Sequence, residues 1–310
     1  MFVVIWPIFA LICLGALLRV SSFATDAFWS GAERLNYFIL FPSLLLAALA
    51  KAPIRDPQLW QFSAAAATVL FIGAVGVYMW RIIFGLRANR FGVYMQGLIR
   101  FNTYLAIAIL AALGGDAAIE RAAVYLGLAV PLVNVFAIFA LSNGSILRDP
   151  WQLMRKVGTN PLVIACLLGL FLAATDIGLP LGLSAFFSLL GQGSLPLGLL
   201  CVGAALRLTT LMQDMKPLAL ITAARLVVMP SLAAFVSLKF GLTHMETLVL
   251  VLFSSAPTAP TSYVLTSQMG GDAQFMAGVV TAQTLLSILT ITLVLQFLMY
   301  LLPKSSGSIL

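Results

Sequence analysis

Apolar residues do not alternate with polar ones along this chain. They run in blocks, each close to the roughly 20 residues that cross a bilayer as helix, separated by short connections rich in Arg, Lys, Asp, Gly and Pro. Runs this continuous suit helical spans, because a helix satisfies its own backbone in hydrocarbon. The pattern predicts ten spans, near residues 2–18, 35–50, 59–80, 93–113, 119–141, 160–175, 185–206, 217–238, 246–268 and 274–302. The expected fold class is therefore all-α, a polytopic membrane protein of ten transmembrane helices. The longest connection divides it into residues 1–142, a cytoplasmic connection 143–159, and residues 160–310.

Composition agrees. With 62% hydrophobic and 9% charged residues and a mean hydropathy of +1.07, the chain has too little charge to cover a water-soluble globule. The net charge of +7 would suggest a nucleic-acid partner in a soluble protein. Here the cations sit between apolar runs and mark orientation instead. Ten Lys or Arg fall in the odd-numbered connections, including Arg148 and Lys156, against five in the even-numbered connections and C-terminal tail, including Arg55 and Lys304. The positive-inside rule then makes the odd connections cytoplasmic and puts both termini outside. The apolar start has no basic residue ahead of it, which favours an uncleaved first span over a signal peptide. Cys13, Cys166 and Cys201 lie inside apolar runs without metal-like spacing and read as small apolar residues.

The halves repeat each other. Pro7, Gly15 and Pro42 recur 154 positions later as Pro161, Gly169 and Pro196, and Gly114-Gly115-Asp116-Ala117 recurs 156 positions later as Gly270-Gly271-Asp272-Ala273. Five spans per half is an odd number, so the second half enters the membrane inverted, a pattern characteristic of secondary transporters. The GGDA motif then marks the end of the fourth span in each half.

This alignment sets Phe101-Asn102-Thr103-Tyr104 opposite Pro257-Thr258-Ala259-Pro260. Proline removes a backbone donor and clashes with the preceding turn, so the ninth span should break near 257–260. An isolated proline most often only kinks a packed helix. The repeat and the polar run Thr258-Ala259-Pro260-Thr261-Ser262 favour a binding site between two interrupted spans. Asn102 and Thr103 carry groups that would satisfy a matching break in span four.

Half-helix N-termini favour an anion. Candidate substrate-binding residues are therefore Arg100, Asn102, Thr103, Tyr104, Pro257, Thr258, Pro260, Thr261 and Ser262, with Asn134, Tyr263 and Gln283 as candidates for lining the same cavity. Helix packing is the competing role for each hydroxyl and ring, and snorkelling for Arg100. Arg225, inside span eight without an acidic neighbour in that span, reads as structural. All ten acidic residues fall at or near predicted span ends. That argues against a sodium–proton exchanger and against carboxylate-based proton coupling. Sodium held by carbonyls and hydroxyls stays open, and otherwise no cofactor is called for. Catalysis fares poorly: His244 is the single histidine, it lies in a connection, and no phosphate-binding loop motif is present.

Asn102-Thr103, the Asn160-Pro161-Leu162 start of span six, and the run APTAPTSYVL at 256–265 resemble the auxin efflux carrier family, across essentially the whole chain. The short central connection is similar to its bacterial branch. The resemblance implies a fold like that of bile-acid symporters and sodium–proton antiporters. Spans one, two, six and seven would form a scaffold, and spans three to five and eight to ten a transport domain moving as an elevator. It also implies a bacterial inner-membrane homodimer, small carboxylates as substrates, Asn102 as the crossover Asn and Pro257 as the ninth-span Pro. Phe101 and Thr261 depart from residues common in the family, so substrate identity does not transfer. The expected function is secondary transport or uniport of a small organic anion. The alternatives are a sodium-coupled symporter of a neutral or larger solute, and a ligand receptor on a transporter fold.

Overall fold

In the computed structural model the described residues are 2–51, 58–142, 151, 155, 158–175, 177–179, 182–211 and 214–301. Among them every regular element is helical. Six helical segments are long and apolar enough to cross a membrane, and three shorter apolar helices accompany them. Most of the 143–159 connection lies outside the described residues, as do Arg55, Arg148, Lys156 and Lys304 of the charge balance.

The chain opens with α1 (Phe2–Val20). Thr25 then caps α2 (Asp26–Leu35), its hydroxyl accepting from Phe28 N at 3.3 Å. A π-helical turn, Asn36–Leu40, joins α2 to α3 (Phe41–Leu49), so one helical segment runs over 26–49. It starts nine residues before the expected span at 35, which brings Glu33 inside a helix (35 − 26 = 9). The reading that every acid sits near a span end is thereby corrected. The cap at Thr25 and the amphipathic first turns of α2 outweigh their polarity.

Helix α4 (Gln58–Phe84) precedes α5 (Ala88–Ile99) and α6 (Thr103–Leu141). Helix α6 breaks direction at Gly115, whose φ of 57° and ψ of −146° fit glycine alone without strain. The second half begins with α7 (Pro161–Ala174), where Asn160 Oδ1 accepts from Leu162 N at 2.9 Å and Pro161 takes the first helical position. That cap and its missing donor explain the Asn-Pro-Leu motif. Helices α8 (Leu183–Ala204), α9 (Met215–Ala223) and α10 (Met229–Lys239) follow, the last two joined by a second π turn at Ala224–Val228. Helix α11 (His244–Ser255) starts in a reciprocal Thr243–Glu246 capping box, α12 is Thr261–Gln268, and α13 is Ala273–Leu301. Gly270, at φ 72°, ends the α12 turn, and Asp272 Oδ1 accepts from Phe275 N to cap α13. Each GGDA thus places a positive-φ glycine where the helical path is broken, inside α6 and between α12 and α13.

The buried core centres on α6 and α11, with Leu105, Ile107, Ile109 and Leu250 fully covered. Outward apolar residues such as Phe71, Phe171, Leu189, Leu289 and Phe297 stay exposed, as suits a lipid-facing surface. Helices α1 and α8 touch backbone to backbone. A Cβ on Gly15 would run into the Leu200 carbonyl, and one on Gly203 into the Ile12 carbonyl. Helix α7 packs in like manner on α3, where a Cβ on Gly169 would lie 2.6 Å from Leu49 Cβ and 3.5 Å from Leu46 O.

Candidate functional site

Two helix breaks meet inside the protein. The first, between α5 and α6, runs through Arg100 and Phe101 to Asn102; the second, between α11 and α12, runs from Ala256 to Pro260. The backbone joins them directly, because Asn102 N donates to Pro257 O at 2.7 Å. Asn102 also caps α6, its Oδ1 accepting from Leu105 N at 3.2 Å. Proline is needed at only one of the breaks: Arg100 and Asn102 adopt extended backbone without it.

Each interrupted helix end leaves carbonyls without partners, and named side chains take them up. Arg225 is 1% exposed. Its Nη1 donates to Leu98 O (2.6 Å) at the end of α5, its Nη2 to Phe253 O (2.7 Å) near the end of α11, and its Nε to Ala256 O (2.8 Å). One guanidinium thus spans the negative ends of two half-helices. Gly97 O accepts from Gln283 Nε2 (3.0 Å), with the Thr258 hydroxyl oxygen 3.1 Å away, while Gln283 Oε1 accepts from Thr258 N (2.9 Å) and from Thr258 Oγ1 (2.7 Å).

On the other side the N-terminal ends of α6 and α12 face a cavity of about 60 Å³, room for a few waters or a small solute. Arg100, Asn102, Thr103, Tyr104, Asn134, Pro260 and Thr261 line it. Arg100 is held by its own helix, with Nη1 donating to Gln96 Oε1 at 3.2 Å. Tyr104 packs edge-on against Phe41, with ring centroids 5.0 Å apart. The remaining candidates lie elsewhere. Pro257, Thr258 and Gln283 are buried in the crossing, Ser262 is buried behind it, and Tyr263 stacks beneath Arg207, whose guanidinium carbon is 4.7 Å from the ring centroid.

The opposite wall escaped sequence reasoning. Glu33, Asn36 and Tyr37 contribute from α2 and its π turn, Asn160 from the α7 cap, and Gly198 and Cys201 from α8. Glu33, Asn36 and Tyr37 are spaced i, i+3, i+4, one helical face. That signal was present but fell across the supposed span boundary. Asn36 is fully buried and accepts from Ser194 Oγ at 2.8 Å. The amide nitrogens of both Asn36 and Asn102 are buried without a hydrogen-bond partner among the described residues. Gly198 makes room for this arrangement: a Cβ there would lie 2.7 Å from Asn36 Nδ2 and 2.7 Å from Tyr104 Cγ.

A family model described as "Membrane transport protein" matches residues 146–295, which include the second break. An "Uncharacterized transporter" of Methanothermobacter thermautotrophicus is 21% identical over 290 residues, covering 92% of this chain and 94% of that protein. A "Putative malonate transporter" of Rhizobium meliloti is 26% identical over 306 residues, covering 92% of each. The chain is a membrane transporter, not an enzyme. The likeness to bacterial-type auxin efflux carriers, read from short motifs, is borne out by these matches. In this transporter Asn160 and Pro161 cap a helix beside the cavity, and the 256–265 run forms the second break.

Proposed function

We propose that this transporter carries a small organic anion, a mono- or dicarboxylate, between the two crossing breaks. The observation that carries the reading is the cavity itself. Two helix N-termini, Arg100, Asn36 and Asn102 line it, and the amide nitrogens of both asparagines are buried without a partner among the described residues, a donor-rich set suited to carboxylate oxygens. Across the crossing, Arg225 covers the negative helix ends, so the net field left at the cavity favours an anion. The malonate in the name of the Rhizobium relative supports a dicarboxylate.

The architecture proposed is ten spans in two inverted repeats, with α5–α6 and α11–α12 as the broken pair. Packing supports it: Gly15 meets Leu200 and Gly169 meets Leu46, and both partners shift by the same 154 positions (169 − 15 = 154, 200 − 46 = 154). The scaffold would be α1, α2–α3, α7 and α8, paired as a homodimer through its exposed apolar surface. The remaining helices would move past it as an elevator, a motion drawn from the family resemblance. The charge balance supports an inner-membrane setting with both termini outside.

The test is flux into proteoliposomes of labelled malonate and related mono- and dicarboxylates, with and without an imposed potential, a proton gradient or sodium, beside Asn102→Ala. Losing that cap costs only about 1 kcal/mol, so the variant should fold. Saturable flux of one anion, abolished in Asn102→Ala, is the expected result. Folded protein that neither binds nor moves any carboxylate would refute the reading.

A further inference from the structure

Glu33 is an acid in a cavity built for anions, and the proposed function leaves it without a role. It lies eight residues into the 26–49 helical segment, counting Asp26 as the first, on the face it shares with Asn36 and Tyr37. Its side chain is half-buried. The titratable and charged groups around it are Tyr37 on its own helix, Arg100 and Tyr104 from the crossing, and Cys201 from α8.

Charge balance gives Glu33 a function. With Glu33 ionised, Arg100 and Glu33 already sum to zero within the cavity. A carboxylate substrate would then bring an uncompensated negative charge beside an existing one, in a space of about 60 Å³. Like charges this close and partly shielded from water repel by kilocalories. The repulsion vanishes if Glu33 takes a proton as the anion enters. Its carboxyl then becomes a donor as well, adding one more hydrogen bond toward the substrate.

The geometry points to proton-linked loading: the substrate anion binds together with one proton, and Glu33 is the group that takes it. This deepens the carboxylate-carrier reading and rests on it. It also reverses the sequence-based expectation that no carboxylate is placed to couple with protons. Glu33 sits on the proposed scaffold and Arg100 on the proposed moving part. The proton therefore governs loading at this position and need not travel with the substrate.

Linkage fixes the sign. If the complex binds one more proton than the empty protein, affinity rises as pH falls, by up to about tenfold per pH unit. The experiment is malonate binding to purified full-length protein by calorimetry, from pH 6.5 to 8.5, in two buffers of different ionisation enthalpy. Glu33→Gln is run beside the wild type. The amide keeps the shape and carries no charge, so the variant should bind at least as tightly as wild type at low pH and stay tight as pH rises.

Wild-type affinity that falls with pH, proton uptake on binding, and loss of both in Glu33→Gln are the expected results. A pH-independent wild type, or a slope and proton uptake that survive in Glu33→Gln, would overturn the inference while leaving the carrier reading intact. Failure of every carboxylate to bind either protein would instead sink the carrier reading itself.

Discussion

Gln283→Leu tests whether the second break is held by the bonds described. Gln283 Oε1 accepts from Thr258 N at 2.9 Å and Thr258 Oγ1 at 2.7 Å, and its Nε2 donates to Gly97 O at 3.0 Å. Leucine fills nearly the same volume and removes all three bonds. The Thr258 hydroxyl then turns to Gly97 O, 3.1 Å away, and keeps that carbonyl satisfied. The Thr258 amide is left buried without an acceptor, which costs about 1–3 kcal/mol. Adding the net worth of the other lost bonds and subtracting the gain from an apolar side chain leaves roughly 2–3 kcal/mol. For a chain of this size that lowers Tm by about 3–5 °C, read from thermal unfolding in detergent.

The same geometry makes a sharper statement about Thr258→Val. Alone it should cost only about 1 kcal/mol, because Gln283 still serves Gly97 O. In the double variant neither group remains, so Gly97 O becomes an orphan and the loss exceeds the sum of the singles by about 1 kcal/mol or more. A Gln283→Leu protein melting with the wild type, or strictly additive losses, would refute this account of the break.

Two further outcomes follow from the same contacts. Gly198→Ala should leave a folded protein with carboxylate binding cut about tenfold or more, because the new methyl presses on Asn36 and the Tyr104 ring at once, each 2.7 Å away, and overpacking of this kind costs about 1–3 kcal/mol; unchanged binding in a direct titration would contradict the role given to this wall. Arg225→Leu should abolish folded protein in size-exclusion profiles, since three buried carbonyls lose their donor, while Arg225→Lys should fold but melt several degrees lower, at a cost of about 1–3 kcal/mol for each carbonyl it fails to reach; a leucine variant as stable as wild type would count against the clamp.

Much of this architecture was legible in the residues. Apolar blocks marked the helices, GGDA marked the backbone breaks at Gly115 and Gly270, and Pro257 and Pro260 marked the second break. The break before Asn102 was legible only through the repeat, since no proline marks it. Two things were hidden. One was the start of α2: its Asp, Glu and Arg look like a connection, and a hydropathy window ends the span where they begin. That placed Glu33 outside and concealed the far wall of the cavity. The other was the division of labour within the polar run at 256–262. Thr258, Thr261 and Ser262 are chemically near-identical in sequence, yet only Thr261 reaches the cavity. Which hydroxyl points where depends on how the second break lies across the first, a long-range contact that composition does not encode. Gln283 shows the same limit, since a lone amide in an apolar helix gives no sign of whether it meets substrate or backbone.

The α1–α8 contact carries a mechanical consequence. Because Gly15 and Gly203 each lie against a carbonyl of the opposing helix, neither helix can slide along the other to the next same-face position, one turn or about 5.4 Å away. Such a slide would bring the Cβ-bearing residues one turn away on the same faces, Leu11, Leu18 or Leu199, into a gap that admits none. The two helices form a locked register, a built-in ruler of fixed length. Probes placed on the exposed Leu17 and Leu189 should therefore report one unchanging separation throughout the cycle, and every displacement elsewhere in the molecule can be measured against it.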